Sequence, residues 1–267
     1  MPHKILTIAG SDTLAGGGLQ ADLATFSNYN FFGLSVTTSI VTVTPDDFQI
    51  FPLDLAVIAA QLESALALDD IIAVKIGLLP TPDIVRLVAK YLRDVNIPII
   101  VDPVMVFKET TQVETKDIVA CLIDQLVPLA TVVTPNLREA EILTGQTITS
   151  RADMVQAAQR LVALGAQNVL LKGGTLLAGD EAVDVLYDGT TATFLTQAKI
   201  PEAKMYHNGA GCTLSASLAA NLGQTADVLA AAQDAKEFVW YGIKSGVDLN
   251  HTFDAGNVWQ GARRAEK

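Results

Sequence analysis

The sequence predicts an α/β fold: three layers, with a mostly parallel central sheet and helices on both faces. Three observations lead there. Short β-rich runs alternate with longer amphipathic segments. The runs are continuously apolar rather than alternating, the pattern of strands buried on both sides. Half of the residues are hydrophobic against 18% charged, enough apolar material for a large core and too much for a disordered chain.

Taken in order, the strand candidates are KILTIA at 4–9, LSVTTSIVTV at 34–43, IIAVKIG at 71–77, PIIVD at 98–102, TVVTP at 131–135 and NVLLKGG at 168–174. Each is expected to lead into a helix. Segment 54–68 places Leu55, Ile58, Ala59, Leu62 and Leu66 on one face at helical spacing, and 81–93 and 151–164 repeat the pattern. VDVLYDG and TTATFLT, at 183–189 and 190–196, read as a hairpin turning at Asp188 and Gly189. Alanine-rich helices at 211–222 and 226–244 are expected to close the chain. No Pro/Gly/Ser-rich linker divides residues 1–267, so one domain is expected.

Charge and cysteine usage narrow the function classes. With 18 basic and 29 acidic side chains, the net charge of −11 opposes nucleic acid or an anionic membrane as a partner. Cys121 and Cys212 stand far apart and form no disulfide framework, which suits a reducing compartment. The opening MPHKILTIAGSD breaks its apolar run at Gly10 and Asp12, too early for a secretory signal. No stretch nears the roughly 20 apolar residues of a membrane span. A cytoplasmic location is the expectation.

In open α/β sheets ligands bind beyond the carboxyl ends of the strands. That rule selects Ser11 and Asp12, Lys75, Asp102, Asn136 with Glu139, and Lys172 with Gly173 and Gly174. NGAGCT at 208–213 opens an apolar helix, so its amides and the helix dipole make an anion site. Cys212, in the first turn of that helix, is expected to have a lowered pKa and to be partly thiolate; Cys121 reads as core. AGSDTLAGGGLQADL at 9–23 runs from strand through a glycine-rich loop into a helix, yet lacks G-x-G-x-x-G spacing, and no Walker-type loop occurs. Asp12 there can accept from a substrate hydroxyl, or Asp12 and Asp22 can serve as caps. Asp102, Asn136 and Glu139 suit magnesium, which takes few protein carboxylates, although Asn136 and Glu139 also read as a helix-cap pair. Lys172, before two glycines, can set a point charge on a phosphate. Together these describe a site for a polyphosphate, a metal and a small polar substrate.

AGSDTLAGGGLQADL, KIGLL at 75–79, VDPVM at 101–105, TPNLREAE at 134–141, LLKGG at 170–174 and NGAGCTLSA from 208 occur in one order over nearly the whole chain. In this the sequence resembles the ribokinase-like vitamin kinases, in particular the hydroxymethylpyrimidine/phosphomethylpyrimidine kinases and the pyridoxal kinases similar to that branch. The resemblance implies an ATP-dependent, magnesium-using kinase of ribokinase-like fold, usually a homodimer. It places Cys212 at the catalytic position with Gly209, Ala210 and Gly211. Asn136, Glu139, Lys172, Gly173, Gly174, Asp184 and Gly211 fall on the nucleotide side, with Asp102 and Glu139 at the metal. Ser11, Asp12, Val43, Lys75, Gly77, Val104, Met105 and Val106 fall on the vitamin side.

The pyrimidine kinases of the branch typically carry Gln after the strand S-x-I-V-T, where an amide pairs with the aminopyrimidine. Here Val43 stands in that place, which favours pyridoxal over hydroxymethylpyrimidine. Two departures accompany it. Phe107 replaces the second cysteine often found in the lid of the similar pyridoxal kinases, and Asn208 replaces the histidine before G-A-G-C, with His207 one position early. Segment 103–115 is the candidate lid. A carrier that binds the vitamin without turnover is the reading from another class.

Overall fold

The computed structural model describes residues 1–44, 46–105, 112–200, 206–250 and 255–265. Its strands are β1 (Lys4–Asp12), β2 (Phe32–Val43), β3 (Phe48–Pro52), β4 (Ile71–Ile76), β5 (Ile99–Val101), β6 (Val132–Val133), β7 (Asn168–Lys172), β8 (Glu181–Tyr187), β9 (Ala192–Ala198), β10 (Val247–Asn250) and β11 (Ala255–Asn257). The helices are α1 (Gly18–Asn28), α2 (Leu55–Leu66), α3 (Pro82–Leu92), α4 (Gln112–Cys121), α5 (Leu137–Thr144), α6 (Arg151–Ala163), α7 (Ala210–Leu222), α8 (Val228–Lys244) and α9 (Ala262–Ala265). Nine strands form one sheet in the order β3-β2-β1-β4-β5-β6-β7-β8-β9. Pairing is parallel from β2 to β7 and antiparallel at the β3 edge and through β8 and β9.

Successive side chains of a strand point to opposite faces, so a continuous apolar run feeds two cores. Leu6, Ile8, Val74 and Ile76 face Ile58 and Leu62 of α2 and Ile84 and Val88 of α3. Ile5, Ala73, Ile100, Val132 and Leu170 face Phe26 of α1 and the small residues of α7 and α8. Local chemistry sets the helix starts. Thr81 caps α3 ahead of Pro82, Ser150 and Asp153 form a capping box on α6, and Asp227 caps α8. The hairpin forms where expected: Gly189 has φ +90°, and Asp188 accepts from the Thr190 and Thr191 amides.

The structure departs from the sequence expectation in four places. β2 leads not into a helix but into the antiparallel edge strand β3, whose residues are mostly exposed. β7 likewise leads not into a helix but into antiparallel β8. On α2 the buried stripe is Ile58, Leu62 and Ala65, while Leu55 is exposed. After α8 the chain continues through the β10–β11 pair into α9, so the alanine-rich helices do not close it. Among the described residues no helix is long and apolar enough to cross a membrane.

Candidate active site

The sheet order sets β1, β4, β5, β6 and β7 side by side, so their carboxyl ends meet along one edge. Lys172, at the end of β7, is bridged to Asn136 after β6, and its Nζ lies 2.7 Å from Asp102 Oδ1, beyond β5. Ser215 Oγ of α7 donates to Asp102 Oδ2 at 3.1 Å and Thr134 Oγ1 to Oδ1 at 3.3 Å. Burial alone would raise the pKa of Asp102, but the Lys172 and Lys75 ammonium groups hold it below the usual carboxylate range. Asn136 and Glu139 do form the cap: Asn136 Oδ1 accepts from the Glu139 amide and Glu139 Oε2 from the Asn136 amide. Glu139 is buried as well, and burial pushes its carboxyl up to about 7 against the pull of Lys172.

Two glycine turns back onto each other above this pair. Gly209 has φ +83°, and a Cβ there would come within 2.4 Å of Gly16 O, so only glycine fits that approach. At Gly211 a Cβ would stand 3.0 Å from Lys172 Nζ, and at Gly17 3.6 Å from Cys212 Sγ. Cys212 Sγ accepts from the Gly18 amide at 3.4 Å. In the first turn of α7 the Ala210 amide donates to His207 O and the Thr213 amide to Gly209 O. The Gly211 and Cys212 amides stand between them at the positive end of the helix. The lowered thiol pKa expected from that position is corrected here. Burial pushes Cys212 up, against the Lys75 ammonium and the Gly18 amide, so the resting group is the thiol.

Lys75 is also not what its strand-end position suggests. Its side chain is fully buried and its Nζ binds Asp22 Oδ2 of α1 at 2.9 Å, while Thr7 Oγ1 donates to the same oxygen at 2.5 Å. Burial works against its charge, but the Asp22 carboxylate raises the pKa and keeps the ammonium. Gly77 leaves room for that ammonium, since a Cβ there would lie 2.8 Å from it. Asp184 is likewise engaged by protein: Oδ1 accepts from the Gly173 and Gly174 amides, and Oδ2 lies 2.7 Å from Lys236 Nζ. It shapes the turn after β7.

Asp12 Oδ1 accepts from the Leu14 amide, and Ser11 Oγ from Gln20 Nε2. Val43 is half-buried at the end of β2, and Val104 and Met105 are half-buried after Asp102. Val106, Phe107 and the rest of 106–111 in the candidate lid fall outside the described residues. Asp22 is no cap; Asp22, Ser215 and Asn257, whose Nδ2 donates to Leu14 O at 2.8 Å, are the site residues that sequence reasoning missed. Only the presence of an acid inside AGSDTLAGGGLQADL was available as a signal for the first.

Among the described residues no three or more His, Cys, Asp or Glu side chains gather to hold a metal by protein alone. Asp102 and Glu139, two carboxylates sharing one ammonium, fit magnesium, which takes one or two protein carboxylates and completes its shell with water and phosphate.

A mostly parallel sheet with a glycine turn at a helix N-terminus, set over a Lys–Asp pair at the strand ends, agrees with the resemblance to the ribokinase-like vitamin kinases. The chain belongs to the phosphomethylpyrimidine kinase family, which it matches over residues 12–257. It is 44% identical to pyridoxine kinase of Bacillus subtilis (strain 168) over 253 residues, 93% of each chain. Its structure is similar to an ADP complex of Bacillus subtilis pyridoxal kinase, with a TM-score of 0.92, 42% identity and 99% of each chain covered. It is similar also to Staphylococcus aureus pyridoxal kinase in complex with AMP-PCP and pyridoxal, with a TM-score of 0.90, 38% identity and 98% and 95% of the two chains covered.

Proposed function

We propose that this chain transfers the γ-phosphoryl group of ATP to the 5′-hydroxymethyl group of pyridoxal, and of pyridoxine and pyridoxamine, in vitamin B6 salvage in the cytoplasm. The observation that carries the reading is the seat of Cys212. Its sulfur is held by the Gly18 amide in the angle of the two glycine turns, and Gly211 abuts the Lys172 ammonium beside Asp102. Relatives named for pyridoxine and pyridoxal support it, as does the apolar Val43 where an amide would read a pyrimidine.

The substrate hydroxyl oxygen attacks phosphorus as the bond to the bridging oxygen of ADP breaks, and its proton passes to an oxygen of the transferred phosphoryl group or, where Cys212 is ionised, to its sulfur. The Gly211 and Cys212 amides and the Lys172 ammonium stabilise the charge on the transferring group. Asp102 and Glu139 would hold magnesium, which neutralises phosphate charge. Asn136, Gly173 and Gly174 line the nucleotide side, with Asp184 acting through the turn. Asp12 and Ser11 line the vitamin side with Val104 and Met105. Lys75 contributes to that side from beneath, through charge rather than contact, and Gly77 leaves room for its ammonium.

Cys212 has two candidate roles. As proton acceptor for the hydroxymethyl group it must first lose its own proton against burial. As a nucleophile toward the pyridoxal aldehyde, its sulfur gives up its proton and adds to the carbonyl carbon: a C–S bond forms, the C=O π pair moves to oxygen, and the proton ends on that oxygen. The raised thiol pKa opposes both roles alike, so it does not choose between them. Comparing pyridoxal with pyridoxine in Cys212→Ala separates them, since equal loss with both removes the aldehyde role.

The deciding experiment is ADP release with magnesium-ATP, comparing pyridoxal with hydroxymethylpyrimidine at matched concentrations. Preference for pyridoxal is expected. Preference for the pyrimidine transfers the chain to thiamine synthesis, and no turnover with either substrate leaves a binding protein. We also propose a homodimer formed through the β2–α2 surface, where Phe32, Phe51, Leu55, Val57 and Leu68 are exposed. Sedimentation equilibrium of Val57→Glu against wild type tests it.

A further inference from the structure

Ala15 lies in the loop between β1 and α1 with φ +54°, a left-handed conformation that is costly for a non-glycine residue. It is exposed, so no packing of its own side chain explains the shape. Such strain persists only where the surroundings over-determine it. On the near side, Asp12 accepts from the Leu14 amide at 2.9 Å through Oδ1 and from the Ala15 amide at 3.0 Å through its carbonyl. On the far side, Leu14 O accepts from Asn257 Nδ2 at 2.8 Å, across 243 residues of sequence.

Asn257 is itself firmly placed. It is bridged to Asn208, the adjoining Val258 amide donates to Asn208 O at 3.0 Å, and Gln260 Nε2 donates to Thr213 Oγ1 at 3.0 Å. Arg263 pins the end of the segment, 2.6 Å from Asp234 and stacked on Tyr29 and Phe238. The amide of Asn257 is turned so that its nitrogen serves Leu14 O, while its oxygen is buried with no hydrogen-bond partner among the described residues, 3.1 Å from where a Cβ on Gly16 would stand. Leaving a buried acceptor unpaired is costly, so the donor is what the position retains.

We propose that Asn257 is a positioning residue: it ties the 13–18 loop to the 208–212 turn and holds Ala15 in its strained shape, so that Gly17 and Gly18 meet Cys212. The proposal rests on the kinase reading above for its activity arm and on the fold alone for its exchange arm. In Asn257→Ala, kcat for pyridoxal should fall at least tenfold with KM for ATP within twofold of wild type. Amide exchange of peptides covering residues 10–19 should quicken in the same variant. Ala15→Gly, which removes the cost of the left-handed conformation, should restore kcat at least threefold and slow the exchange again when combined with Asn257→Ala. If Asn257→Ala leaves both readouts unchanged, the tie does not matter and the proposal falls. It falls equally if both are lost and Ala15→Gly restores neither. Should the wild-type chain phosphorylate no vitamer, the kinase reading fails while the exchange arm still decides this one. If Asn257→Ala does not fold, Asn257→Ser, too short to reach Leu14 O, is read in the same way.

Discussion

Two lysines, each at a strand end and each paired with an aspartate, look alike in sequence and differ in use. Lys75 and Asp22 lie 2.9 Å apart with both side chains wholly inside the protein. Lys172 and Asp102 lie 2.7 Å apart with 13% of the lysine side chain and 2% of the aspartate exposed. Each ammonium rests where a glycine lacks its Cβ, at Gly77 and Gly211 respectively. The small opening at Lys172 is the difference that matters. A closed pair holds charge as part of the fold, whereas an open one can lend its ammonium to a phosphate.

The largest effect expected is on the closed pair. Removing one member leaves an uncompensated buried charge, which costs about 3–5 kcal/mol. Asp22→Asn or Lys75→Met should therefore lower the denaturation midpoint steeply, and the double replacement should regain much of the loss. Urea unfolding of the three variants checks this, and additive losses would break the claim that the two act as a pair. The open pair should respond in activity instead. Lys172→Met should lower kcat with magnesium-ATP about 10²-fold, in the range seen when one charge-stabilising donor is removed, with a smaller stability loss than Lys75→Met. Steady-state kinetics and a melting curve on one preparation show whether the two pairs separate in this way.

This division explains which parts of the molecule were readable beforehand. Strands such as IIAVKI announce themselves because burial on both faces demands an unbroken apolar run. β3, with FQIFP at an open edge, carries no such demand, and neither do β10 and β11. Lys75 is visible as a strand-end lysine, but its counter-ion lies 53 residues away on the inner face of α1. No spacing rule distinguishes Asp22 from a cap. Cys212 is legible by its place in a helical turn, yet its protonation depends on desolvation, which only the packed structure sets. The contact between Asn257 and Leu14 spans almost the whole chain and has no local signal.

Glu139 extends the comparison to pH, because it shares Lys172 with Asp102. In the native state it keeps its proton up to about pH 7, while the unfolded chain releases it near 4.5. Between those values the native state binds more protons, so stability falls as pH rises through that window. The loss is of order 3 kcal/mol from a shift of this size. Urea midpoints of metal-free protein at pH 5 and pH 8 should show this decline, and Glu139→Gln should flatten it. An unchanged slope in that variant would assign the dependence to another group.

The smallest effects come from the two glycines, and they test the comparison most finely. In Gly77→Ala the new methyl would stand 2.8 Å from Lys75 Nζ and 3.0 Å from Ala9 Cβ, in a region with no space to yield. Overpacking of this kind costs about 1–3 kcal/mol, so the variant should melt earlier. Gly211→Ala puts a methyl 3.0 Å from Lys172 Nζ, but this lysine has an opening through which to withdraw. Alanine is also favoured over glycine in a helix by up to about 1 kcal/mol, so stability should hold or rise while the displaced ammonium lowers kcat severalfold. If Gly211→Ala destabilises as much as Gly77→Ala, Lys172 is as confined as Lys75, and the distinction between a closed and an open pair is lost.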